Sequence, residues 1–128
     1  MISSTVFLSL AGGLIILLGA GCGVGGVTLW NGKPDNWPDV VASDGVVRRT
    51  ARGLVGMGVL LLATGLTTIF GIPVGCVAGG ISTLLFVVGG FLGNHALFGD
   101  IRPKHTGPNV VLACVIWILI WFGFPVDG

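Results

Sequence analysis

The chain has 128 residues, of which 53 % are hydrophobic and only 9 % charged, with a formal net charge of +1. Ordinary soluble domains carry about 25 % charged residues, so a mean hydropathy of +1.02 leaves too little polar surface to cover a water-soluble globule. The same balance excludes a nucleic-acid partner, which needs a basic block that this chain lacks. What it predicts is an all-α integral membrane protein with several spans.

The first predicted element covers residues 5–30. The opening MISSTVFLSL has no positively charged n-region, and the apolar stretch behind it exceeds the roughly 7–15 residues of a signal-peptide core. It therefore reads as part of the mature chain. Thr5 to Trp30 holds no charge; as a helix it would extend about 39 Å. That exceeds the ~30 Å hydrocarbon core, so it tilts, kinks or protrudes.

Its far half, LGAGCGVGGV, places glycine at 19, 21, 23, 25 and 26. At 3.6 residues per turn, Gly12, Gly19, Gly23 and Gly26 share one stripe and Gly21 and Gly25 form a patch opposite it. In lipid no hydrophobic force drives helices together, so association rests on close van der Waals contact, which glycine permits. The lost helix propensity, about 1 kcal/mol per glycine in water, matters less where an unpaired backbone group has no solvent to bond. All six are read as packing residues. Gly21 to Gly26 also fits G-x-G-x-x-G, but it lies inside an apolar span and not after a strand, so neither a nucleotide nor any other cofactor is expected. The alternating glycines over Gly19–Gly26 resemble the first helix of the rotary ATP synthase proteolipid. That family's ion-carrying carboxylate has no counterpart in residues 53–70, 74–94 or 108–124, which hold no Asp or Glu; the resemblance implies shared packing, not a rotor.

From Asn31 to about Arg52 the chain is polar, carrying Lys33, Asp35, Asp39, Asp44, Arg48, Arg49 and Arg52. Trp30 and Trp37 read as interface anchors. Arg48, Arg49 and Arg52 read as contacts to lipid phosphates from a short interfacial helix that turns Val40, Val47 and Ala51 inward. The second span is predicted over 53–70. Gly71-Ile72-Pro73 then breaks the helix, because proline lacks a backbone donor and restricts the residue before it. The third span, 74–94, repeats the small-residue stripe as Gly75, Gly79, Ser82, Gly90 and Gly93, interrupted by Phe86. The first and third spans are accordingly expected to cross closely, and an isoleucine at Gly23 to overpack that crossing.

The next polar stretch is HALFGDIRPKHTG. His95, Asp100 and His105 are its weak metal-ligand candidates, at an irregular loop spacing that favours interfacial polar residues over a metal site. Pro108 suits the first position of a helix, which gives a fourth span over 108–124. Trp121, Phe122 and Phe124 are anchors at its far end, and Trp117, one turn earlier on the same face, is offered to a partner. Cys22, Cys76 and Cys114 show no C-x-x-C spacing and are expected as buried small side chains.

All six Lys and Arg fall in the first and third loops. The positive-inside rule then puts both termini on the non-cytoplasmic side of a bacterial-type inner membrane. Residues 11–26 and 78–93 share seven positions at an offset of 67, among them Ala11-Gly12-Gly13 and Ala78-Gly79-Gly80. This suits two helical hairpins related as a weak parallel repeat. The spans lack the ionisable residues of ion-coupled transport, and no catalytic constellation is present, so the chain is not expected to be an enzyme. The expected role is an accessory or structural subunit of a membrane complex, or a homo-oligomer built through glycine-lined faces, with lipid, other membrane subunits or copies of itself as partners. The alternative is a small channel or facilitator for a small neutral solute or ion, with Thr64, Thr67, Thr68, Ser82 and Thr83 along its path.

Overall fold

The computed structural model describes residues 4–31, 43–99 and 103–123, and Asp100 and Trp37 lie outside them. Four helices, α1 (Ser4–Leu29), α2 (Asp44–Ile69), α3 (Pro73–Phe98) and α4 (Pro103–Gly123), account for nearly all of these residues, which include no strand. Each helix contains a stretch long and apolar enough to cross a membrane.

The break between α2 and α3 falls where Gly71-Ile72-Pro73 predicts it. Gly71 adopts φ 73°, the left-handed conformation that glycine takes without a Cβ clash. Its N–H bonds the Thr68 carbonyl at 3.0 Å while the Ile72 N–H reaches the Thr67 carbonyl at 3.4 Å. These two bonds form a Schellman motif that satisfies the last carbonyls of α2. Pro73 then opens α3 at the position where its missing N–H costs nothing.

Three boundaries differ from the sequence expectation. Residues 44–52 do not form a separate interfacial helix; they are the first turns of α2, so Arg48, Arg49 and Arg52 stand exposed on a helix of 26 residues. The helix runs on because Val47 and Ala51 are fully buried, packed with Leu29 and Leu97 in a small cluster at this end. Val40 lies outside the described residues. α3 continues past Asn94 to Phe98 and is capped by Gly99 at φ 81°, whose N–H bonds the His95 carbonyl. α4 begins at Pro103 and carries Pro108 inside its second turn, where a single intrahelical bond is forgone.

The interior mixes small and hydroxylated residues with large apolar ones, and the exterior is also largely apolar. Ala11, Cys76, Thr68, Thr83 and Ala113 are fully buried together with Ile15, Leu61 and Ile116. Leu17, Val24, Val27, Phe70, Val74, Leu92 and Trp121 are exposed, far more apolar surface than a protein stable in water presents. The buried hydroxyls are satisfied locally: Thr64, Thr68, Ser82 and Thr83 each donate to the carbonyl four residues earlier at 2.8–2.9 Å. That leaves helices intact where no water is available to bond them.

Candidate functional site

α1 and α2 are antiparallel and meet along a seam whose small residues recur every seven positions. Gly12, Gly19 and Gly26 of α1 lie against Gly65, Gly58 and Ala51 of α2 in that order. With Leu8, Ile15, Cys22 and Leu29 alternating between them on α1, and Val47, Leu61 and Thr68 on α2, this is the 3–4 spacing of a left-handed coiled coil. The glycines set how close the backbones come. A β-carbon on Gly19 would lie 2.9 Å from the Gly58 carbonyl oxygen and 3.0 Å from the Leu62 nitrogen, and one on Gly58 would lie 2.8 Å from the Gly19 carbonyl. At Gly26 the Ala51 carbonyl would be 2.8 Å away, and at Gly65 the Gly12 carbonyl 2.9 Å.

The close partner of the first helix is therefore α2 and not α3. Ala51 is turned inward as expected, but its place with Gly58 and Gly65 in a seam was not read from the sequence, although their sevenfold spacing was the available signal. α1 meets α3 sparingly, where Ile15 reaches over Gly79, 3.2 Å from a β-carbon placed there. The α3 glycines instead serve α2: a β-carbon on Gly75 would lie 2.5 Å from Thr67 Cβ, and one on Gly79 would run into Thr68 Oγ1. Gly23 also differs from expectation. Its nitrogen lies beneath Gly58, yet a β-carbon on Gly23 itself would meet nothing within 4 Å, so a larger residue there points away from the seam. Gly21 is exposed with open space around it, and Gly25 is half-buried near Leu54.

Two concavities flank this framework. On the outer side of the α1–α2 seam, Ala20, Gly23, Val24 and Val27 of α1 and Val55, Val59 and Leu62 of α2 line a shallow groove of about 460 Å³. The second is a half-open cleft of about 460 Å³ at the polar-loop end, chiefly between α2 and α3. Gly53 and Met57 form one wall, Gly89, Gly90 and Gly93 the other, and Cys22 and Phe86 the base. Gly90 faces the Asn109 amide, whose nitrogen would be 3.8 Å from a β-carbon, and Gly93 faces Thr50 at 4.0 Å. Asn94 lines the same cleft; its Nδ2 donates to the Gly90 carbonyl at 2.7 Å while its Oδ1 is buried without a hydrogen-bond partner. An unpaired buried amide oxygen costs about 1–3 kcal/mol.

The remaining candidates are dispersed. Trp30 and Trp121 are exposed at the ends of α1 and α4, and the Phe122 ring lies 6.0 Å from that of Phe7. Trp117 faces inward, donating from Nε1 to the Gly80 carbonyl at 3.0 Å, and so ties α4 to α3 and is not a free docking face. Cys22 and Cys76 are buried but Cys114 is exposed, the one thiol that departs from the expected burial. His95 is exposed near the end of α3, and the His105 side chain is outside the described residues. Among the described residues no three His, Cys, Asp or Glu side chains converge on a metal position. No protein-family model, curated protein or solved structure matches this chain.

Proposed function

We propose that this protein is a small integral membrane protein that acts as an accessory or structural subunit, associating with other membrane subunits or with copies of itself through the outer groove of the α1–α2 seam. The observation that carries this reading is the groove itself. It is lined by Gly19, Gly23 and Gly58, flanked by Ala20 and rimmed by valines, and a β-carbon on Gly23 would meet nothing within 4 Å there. In lipid, a surface of this kind is what a further helix packs against. The four spans form two hairpins, α1–α2 and α3–α4, in a parallel repeat. Supporting that, the Ala11-Gly12-Gly13 and Ala78-Gly79-Gly80 segments both lie within the first three turns of their helices, and Gly12 and Gly79 both abut the last turns of α2. The arginines of α2 mark the cytoplasmic side of a bacterial-type inner membrane, and both termini lie on the opposite side.

Gly23→Trp separates assembly from folding, because it fills the groove without entering the seam. In mild detergent, wild type is expected to run well above its 13.1 kDa protomer mass, or to retain stoichiometric other chains. Gly23→Trp is expected to weaken that association at least tenfold, about 1.4 kcal/mol, with an unchanged helical circular dichroism spectrum. A wild-type protein that is monomeric and alone, or a variant that assembles normally, contradicts the reading. A discrete symmetric oligomer that passes a solute in liposomes would favour the facilitator instead.

A further inference from the structure

We propose that the cleft between α2 and α3 is a binding site for an anionic phospholipid, one acyl chain lying in the cleft and the phosphate at Arg49. The inference rests on the membrane placement above but not on the assembly role. Length is the first argument. The lining runs from Phe86 to Phe98 along α3, about 18 Å at helical rise, against about 15 Å for one leaflet of a ~30 Å hydrocarbon core. Shape is the second. Gly53, Gly89, Gly90 and Gly93 remove side chains from both walls, leaving a slot between backbones with apolar Met57 and Phe86 at its closed end.

Charge decides which lipid. Arg49 sits one helical turn before Gly53 on α2 and so stands on the side of the helix nearest that wall, at the end facing the polar loops. It is exposed, as are Arg48 and Arg52, and the first turns of α2 carry these three arginines with one acid, Asp44. A planar guanidinium binds phosphate oxygens in pairs. Asn94 adds a second recognition group. It lies one turn inside the end of α3, at the depth where headgroup meets chain, and its buried Oδ1 lacks a donor. Rotation of the amide, which gives up the 2.7 Å bond from Nδ2 to the Gly90 carbonyl, would turn Oδ1 to a headgroup hydroxyl or a water carried in with it.

The test titrates the full-length protein in mild detergent with phosphatidylglycerol or with phosphatidylcholine of identical chains, read by native mass spectrometry. Wild type is expected to prefer phosphatidylglycerol about fivefold. Arg49→Gln is expected to abolish the preference while chain binding persists, and Gly90→Leu to lose both lipids. Equal retention of the two lipids by wild type, or unaltered binding by Gly90→Leu, overturns the proposal. Should Gly90→Leu fail to fold, wild type in vesicles of phosphatidylcholine mixed with diazirine-bearing phosphatidylglycerol gives an independent readout. Photo-labels are expected on residues 50–57 and 86–98. Labels confined to outward positions such as Val59 and Leu66, or a partner's helix filling the cleft in place of lipid, overturn it. Failure of the membrane placement shows differently, as protein in the soluble fraction.

Discussion

Gly19→Leu is expected to separate α1 from α2 and to cost about 3 kcal/mol of stability, the upper end of what overpacking does. The neighbours that a new β-carbon would meet are the Gly58 carbonyl, the Leu61 β-carbon and the Leu62 nitrogen, all at 2.9–3.0 Å. None of these is the movable tip of a side chain. The only relief is to move one helix away from the other, which opens the seam at Gly12–Gly65 and Gly26–Ala51 as well. Gly19→Ala is expected to destabilise less, since its methyl meets the same backbone but a gain of up to ~1 kcal/mol in helix propensity offsets part of the cost. Gly13→Leu and Gly21→Leu serve as controls. A β-carbon at either position meets nothing within 4 Å, so both should unfold at or above the wild-type midpoint in an SDS titration followed by circular dichroism. Equal midpoints for Gly19→Leu and Gly21→Leu would refute the seam.

Gly79→Leu is the second large effect, expected at about 2–3 kcal/mol in the same titration. Here α1, α2 and α3 converge: the added β-carbon would run into Thr68 Oγ1 and lie 3.2 Å from Ile15 Cδ1. Thr68 cannot turn aside freely, because its hydroxyl is bonded to the Thr64 carbonyl at 2.8 Å. Thr68→Ala removes the obstructing oxygen and is expected to recover about half of the loss when combined with Gly79→Leu. Neighbours in direct contact are where additivity fails in this way. Strictly additive effects of the two substitutions would show that α3 does not lie on α2 at this depth.

The parts of this architecture that were legible in the sequence are those that one helix determines by itself. Four apolar segments and a stop at Gly71-Ile72-Pro73 follow from hydropathy, a missing proline N–H and the left-handed tolerance of glycine. The start of α2 was not legible in this way. Arg48, Arg49 and Arg52 look like loop residues when counted as charges. A helix of 26 residues is about 39 Å long, however, so its first turns clear the hydrocarbon and long cationic side chains can remain in water there.

Helix pairing was harder still, because a glycine stripe states that something approaches without stating what. Gly12, Gly19 and Gly26 are compatible with any partner presenting small residues at matching intervals. Both α2, with Ala51, Gly58 and Gly65, and α3, with Gly79 and Gly90, present some. The unbroken sevenfold spacing on α2 distinguishes it, whereas Phe86 interrupts the stripe of α3. The two concavities were not legible at all. The cleft is lined by residues of all four helices, a consequence of the whole packing and not of any local motif.

The claim on which the rest depends is that lipid surrounds these four helices, and an alkaline carbonate wash of membranes from cells expressing the full chain tests it most directly. Protein held by four apolar spans is expected to remain entirely in the membrane pellet at high pH, as a known polytopic control does. Quantitative release into the supernatant together with peripheral proteins would contradict the account.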